Sequence, residues 1–306
     1  MTLPHIPDPV PGDAASVDAL PTVIVPRVRD IGGFEVRRAL PSVARQMIGP
    51  FIFFDQFGPI IMKAGEGQDV RPHPHIGLST VTWLLDGAMF HRDSLGSQQA
   101  IAPSELNWMT AGKGIVHSER TPEADRARAR TVFGIQSWVA LPKQHEEVAP
   151  GFEHVATGQL PLISDHGRTV RVIAGGIYGA ASPVKTHSEL FYAEVTLRRG
   201  AKLPLPTEHE ERAIYVLEGS VEIAGHVHGA NQLLVFREGD AITVLAHTDT
   251  RFMMLGGEPM DGPRHIWWNF VSSSKERIEM AKEEWRTGRF GIVPGDETEF
   301  IPLPAS

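Results

Sequence analysis

Short runs rich in valine, isoleucine, phenylalanine and threonine recur along the chain, among them Thr80–Leu85, Val132–Leu141, Val170–Ile173, Phe191–Leu197, Ala213–Leu217 and Ala241–Leu245. Clusters of Gly, Pro, Asp and Asn separate them. These residues supply the positive φ angles and fixed turns that fold one strand back on the next, so the pattern predicts an all-β protein built as a sandwich or barrel. One helix stands apart near the C-terminal end. Ser273 followed by Glu276 reads as its capping box, Ile278, Ala281 and Trp285 form an apolar stripe at helical spacing, and Gly288 is placed to stop it. Such a stripe is expected to pack on the barrel.

A weak internal repeat points to two copies of one barrel. Trp83-Leu84-Leu85-Asp86-Gly87 matches Tyr215-Val216-Leu217-Glu218-Gly219, and Leu106 to Gly112 matches Leu233 to Gly239. At 306 residues two domains are the natural expectation, each able to bury its own core. The polar stretch over 143–160 is the expected divide. The resulting organisation is an N-terminal barrel over 20–145, a second barrel over 146–270, and a helix with its tail over 271–306.

The chemistry concentrates in two clusters, His73-Pro74-His75 and His117-Ser118-Glu119. On extended backbone the side chains of residues i and i+2 share a face, so each cluster presents a pair of ligands, and two such pairs can close around one ion. Three imidazoles and a carboxylate without a thiolate suit Fe, Mn, Ni, Cu or Zn and leave positions open on an octahedral ion, as a catalytic or sensing site requires. The internal repeat tests this. Aligned on Gly87 and Gly219, the positions of His73 and His75 fall on Leu205 and Thr207; aligned on Gly112 and Gly239, those of His117 and Glu119 fall on Val244 and Ala246. The second barrel therefore lacks all four ligands, and one metal per chain is expected. His226-Val227-His228 repeats the spacing, but between Gly225 and Gly229 it reads as a hairpin tip.

Composition excludes several alternatives. A formal net charge of −8, with the basic residues scattered, gives no footprint for direct binding to nucleic acid. The absence of cysteine excludes disulfides, thiol catalysis and cysteine-ligated clusters, and fits a cytoplasmic location. The segment Met1 to Ser16, interrupted by Pro4, Pro7, Pro9 and Pro11, lacks the basic and apolar regions of a signal peptide and reads as a loosely held arm. No apolar stretch is long enough for a membrane helix.

Pro72-His73-Pro74-His75-Ile76-Gly77, His91-Arg92-Asp93-Ser94-Leu95-Gly96 and Trp108 through Glu119 resemble the motifs of the pirins, bicupins of the cupin superfamily. The resemblance runs over about residues 22–290 and is strongest in the N-terminal half. It implies two tandem cupin double-stranded β-barrels, with His73, His75, His117 and Glu119 holding one divalent metal in the first. Iron(II) is the first expectation, with Zn, Mn, Ni or Cu as alternatives. Where pirins commonly carry a glutamate four residues after the second histidine, this chain has Ser79, and the run Arg264 to Phe270 also differs from the pirins best known as regulators.

Two functions follow from the resemblance. One is a quercetin 2,3-dioxygenase-like reaction on an aromatic, flavonol-type substrate, with Glu119 as general base and Gln136 and Trp138 as candidate pocket residues. The other is an iron-dependent redox sensor or transcriptional co-regulator that acts through a regulatory protein partner. Asp93-Ser94-Leu95-Gly96 reads first as a hairpin turn, and His91 with Asp93 only second as supports of a ligating histidine.

Overall fold

The computed structural model describes residues 21–30 and 34–304, so the expectation for Met1 to Ser16 lies outside the described residues. Strands dominate them, and every strand run picked out above appears. Thr80–Leu85 lies within Leu78–Asp86, Val132–Leu141 overlaps Arg130–Ala140, and Ala213–Leu217 lies within Glu211–Glu218. The glycines that close the two repeat strands, Gly87 and Gly219, both take positive φ, 85° and 74°, where an added Cβ would be strained. None of the helices described is long and apolar enough to cross a membrane.

The chain divides into two compact units. Of the described residues, one comprises 29–30, 34–36, 53–157 and 260–304; the other comprises 21–28, 37–52 and 158–259. In the first, a four-stranded antiparallel sheet runs in the order Asp69–His75, Ile115–Arg120, Met89–Asp93, Gln98–Ile101. A larger sheet of this unit runs Gly151–Val155, Leu106–Thr110, Leu78–Asp86, Arg130–Ala140 and Phe51–Met62. Leu78–Asp86 is buried at all positions but its last, the mark of a strand covered on both faces. Met89–Asp93 instead alternates buried and half-buried, as a strand with one covered face should.

The second unit repeats the plan. Its larger sheet runs Thr22–Ile24, Gln232–Phe236, Glu211–Glu218, Thr250–Gly257, Leu190–Leu197, Arg168–Ile177 and Leu162–Asp165. Its smaller one runs Lys202–Pro204, Thr243–Ala246, Ser220–Ile223, His226–Gly229. Leu205, Val244 and Ala246, the counterparts of His73, His117 and Glu119, are buried in this unit's apolar core. That interior is closed by packing.

The helix forms at Lys275–Arg286, one residue later than the capping-box reading implies. Ser274 is its N-cap, accepting a hydrogen bond from the backbone of Arg277 at 3.2 Å. Ser273 is occupied elsewhere, its backbone and hydroxyl both donating to the carboxylate of Glu146. Ile278 and Ala281 are buried with Ile76 and Phe270, and Trp285 and Leu303 pack against them, so the predicted stripe seats the helix on the barrel. Gly288, with φ of 72°, follows the last turn.

Candidate metal centre

The four-stranded sheet of the first unit presents the expected ligands inward. His73 faces His117 across adjacent strands, and Pro74 faces Val116. The register then shifts, Glu119 facing Val70 where a regular ladder would bring Arg71. The bulge falls at Pro72, a residue with no N–H to give to a ladder. Beyond His75 the chain turns at Gly77, φ 68°, where a Cβ would stand 2.0 Å from the carbonyl oxygen of Val271. No other residue type fits there, and the turn fixes where the paired histidines end.

His73, His75, His117 and Glu119 are all buried, none more than 7% exposed. The three imidazoles each offer a nitrogen, and those atoms all lie within 4.8 Å of one another, forming a group that can hold a metal ion. Glu119 lies outside this trio in the structure; its Oε1 accepts a hydrogen bond from the Thr82 hydroxyl at 3.0 Å. Thr82 Oγ1 is also 3.0 Å from Gln136 Oε1. A hydroxyl carries one proton, so if it goes to Glu119 the Gln136 amide is satisfied by turning its NH₂ toward Thr82.

The tautomers follow from the partners. His73 Nδ1 lies 2.8 Å from the carbonyl of Arg71, and His75 Nδ1 lies 3.2 Å from that of Asn269. A carbonyl only accepts, so both Nδ1 atoms carry the proton and both Nε2 atoms present a lone pair. For His117 the orienting group is a relay. His91 donates from Nε2 to Asp93 Oδ2 at 2.9 Å, leaving its Nδ1 to accept from His117 Nδ1 at 3.4 Å. Nε2 of His117 is then also unprotonated. It faces Nε2 of His75 at 3.1 Å, and two lone pairs at that distance repel unless a cation stands between them. The donor set thus fits a metal ion on its own geometry.

Burial supports the same state. Desolvation lowers His73 to about 4, against the hydrogen bond to Arg71, and holds His75 and His117 well below the ordinary histidine value. All three are neutral, the form that binds metal. Burial raises the Glu119 carboxyl, with the nearby His91 and the Thr82 hydrogen bond opposing the shift, which makes it a stronger base than an exposed glutamate. Burial also works against the charge of Asp93, yet hydrogen bonds from His91 and Ser97 outweigh it and keep this carboxyl below its usual range.

Asp93 therefore does two things. Oδ2 holds His91, while Oδ1 accepts from the backbones of Leu95 and Ser97 at 2.9 and 3.0 Å. The turn is real, but the residue serves the ligand as well. His91 is fixed further by stacking on Phe152, with ring centroids 4.3 Å apart. Trp138 meets His75 edge-on at 5.3 Å and stacks on Phe53. Ser79, buried, bonds Thr110 at 3.0 Å. His226–Gly229 lies in the hairpin with Ser220–Ile223 in the other unit, outside the trio. Thr82 and the Asn269 carbonyl were not anticipated: a threonine in a strand carries no special signature, and a main-chain oxygen carries none at all.

The burial shifts make a pH prediction for metal-free protein. A histidine buried neutral takes up its proton below 6.5 in the unfolded chain but only near 4 in the folded one. The unfolded state then binds more protons between these values, so stability is full above about pH 6.5 and falls as the pH drops toward 4. His73 alone accounts for about 3 kcal/mol across that window. Urea melts of chelated protein at pH 7.0 and 5.0 should show the lower pH clearly less stable, and equal midpoints would contradict buried neutral imidazoles.

Comparison with known proteins gives the family. Residues 33–139 match the family described as Pirin, and residues 192–291 match the Pirin C-terminal cupin domain. A pirin-like protein of Caulobacter vibrioides is 48% identical over 281 residues, covering 91% of this chain and 97% of the relative. The chain belongs to the pirin family. Rat pirin is 32% identical over 268 residues, covering 85% of this chain and 89% of the rat protein. Among solved structures, a quercetin 2,3-dioxygenase from Acinetobacter baumannii superposes with a TM-score of 0.86 at 35% identity, covering 94% of this pirin and 96% of that chain. A second one from the same organism gives 0.83 at 29% identity, covering 89% and 98%. The bicupin architecture of this pirin is thus that of two proteins described as quercetin dioxygenases.

Proposed function

We propose that this pirin is a metal-dependent dioxygenase acting on a flavonol-type hydroxyketone, with one ion, iron(II) first, held by His73, His75, His117 and Glu119. The observation that carries the reading is the convergence of three neutral, buried imidazoles beside a buried carboxylate of raised pKa. The likeness to solved structures described as quercetin 2,3-dioxygenases supports a flavonol-type substrate. When bound, such an ion supplies Lewis acidity toward a substrate oxygen and a route for electrons to dioxygen.

The chain's own residues do the rest. The relay from Asp93 through His91 fixes the ring of His117, and the carbonyls of Arg71 and Asn269 fix those of His73 and His75. Glu119 Oε2 would be the fourth ligand atom, and when not ligating, the same oxygen would accept the proton of the substrate's enolic hydroxyl. Thr82 holds Glu119 by Oε1, so the base is positioned before substrate arrives. Trp138 and Phe53 supply an apolar aromatic wall beside His75 that favours a flat ring over water.

The experiment is oxygen consumption by iron-loaded protein with quercetin as substrate. One dioxygen consumed per flavonol lost, abolished by chelator, is the expected result. Protein that leaves quercetin and related flavonols unconsumed, yet binds a protein partner in only one iron oxidation state, would replace this reading with that of a redox sensor.

A further inference from the structure

A cavity lies between the strands that carry the histidines and the C-terminal helix with its tail. Its volume is about 510 Å³, within the roughly 300–1,000 Å³ typical of sites for small molecules. Pro72 and Val116 form its floor, and each is the sequence neighbour of a histidine of the trio. Side chains alternate along a strand, so Val116, in the regular stretch beside His117, faces away from the imidazoles. The thickness of one sheet separates it from the metal centre.

The walls are the end of the helix Lys275–Arg286 and the tail that follows it, with Trp285, Val293, Phe300 and Leu303 as the apolar surface. The tail is fastened rather than draped. Arg120 takes Asp296 by two hydrogen bonds, 2.6 and 2.7 Å, and Glu299 by a third at 2.8 Å. Ile301 N donates to the carbonyl of Pro72 at 2.8 Å, and Trp285 Nε1 donates to the carbonyl of Ile301 at 3.1 Å. A segment held at these points closes over the sheet without filling the space beneath, and it leaves Phe300 58% and Ile292 67% exposed at the rim. Large apolar side chains kept at the mouth of a cavity are what an apolar ligand would cover.

Charge selects among apolar ligands. Asp296, Glu297 and Glu299 line the cavity against one cation, Arg286, and that guanidinium is already engaged by Glu283. Arg120 is shared by Asp296 and Glu299. Glu297 accepts a hydrogen bond from the backbone of Gly295, a neutral donor. The helix C-terminus opens into the same space, with Arg286 and Gly288 among the lining residues, and the partial negative charge of a helix C-terminus favours a cation. The same helix already seats an ammonium on an indole, with Lys282 Nζ 4.1 Å from the Trp267 ring.

We infer that this cavity is a binding site for a small molecule with an aromatic or aliphatic body and one protonated amine. The body lies against Trp285 and Leu303, and the ammonium faces Glu297 and the helix C-terminus. The site is independent of the flavonol reaction and of the metal.

Calorimetric titration of the full-length, metal-loaded protein with 1-naphthylmethylamine, against 1-naphthylacetate as the anionic counterpart of similar shape, tests the inference. The amine should bind once per chain and at least about tenfold more tightly than the acetate, since 1.4 kcal/mol is a factor of ten. Leu303→Trp, which fills the cavity, should weaken the amine about tenfold. Glu297→Gln, an exposed substitution that leaves the core alone, should weaken the amine severalfold and leave the acetate unchanged or bound slightly better, so that the preference for the amine falls. Chelated protein should bind the amine as loaded protein does. No saturable binding, equal binding of both probes, amine binding indifferent to Glu297→Gln, or binding that disappears with the metal would overturn the proposal.

Discussion

Glu119→Gln is expected to retain metal on the three imidazoles and to lose flavonol turnover by about 100-fold or more, the scale of general acid–base catalysis. The substitution conserves shape and keeps an oxygen for the Thr82 hydroxyl, so the architecture around His73, His75 and His117 should persist. What it removes is the negative charge and the base, whose proton affinity burial raises. Under saturating quercetin the loss should appear in kcat, with a metal content at least half that of the unaltered protein. Unchanged turnover with metal retained would show that the proton goes elsewhere, and Glu119 would then be a ligand or a structural residue only.

Removing the metal is expected to lower the melting temperature by roughly 10 °C. The trio joins two strands, Asp69–His75 and Ile115–Arg120, and leaves lone pairs of His75 and His117 facing each other at 3.1 Å when no ion is present. An ion that binds only the folded state stabilises it by mass action, about 4 kcal/mol when present at 1,000 times its dissociation constant. For a domain of roughly 150–250 residues each kcal/mol shifts the midpoint about 2–4 °C. Melts of chelated and reloaded protein at pH 7 measure the difference. Coincident curves, with metal content verified, would mean that the ion does not bridge the strands.

Period and punctuation are local properties, and the features that depend on them could be read from the residues. The strands at Leu78–Asp86 and Glu211–Glu218 end at glycines with positive φ because a tight turn needs one there, and that requirement is written in the sequence. The i,i+2 spacing of the histidines likewise survives into the structure, since extended backbone leaves no other outcome. The helix start was misread by one residue because Ser273 and Ser274 are equally good caps, and the choice between them is made by Glu146, far away in the chain. The pairing of Thr22–Ile24 with Gln232–Phe236 has no local signal either. At the site, Asp93 looked like a turn residue because it is one; its second oxygen is given to His91 by the strand register that places Glu119 opposite His91 and His117 opposite Asp93. Register is a tertiary fact, and so is the carbonyl of Asn269 that orients His75.

One ion in the first barrel, held by residues from both histidine clusters, is the expectation from which the proposed chemistry follows. Metal analysis of protein purified without chelator, beside His75→Ala and His228→Ala, tests this most directly. The expected result is close to one ion per chain, falling to near zero in His75→Ala and unchanged in His228→Ala. A stoichiometry near two, or full occupancy in His75→Ala, would contradict it.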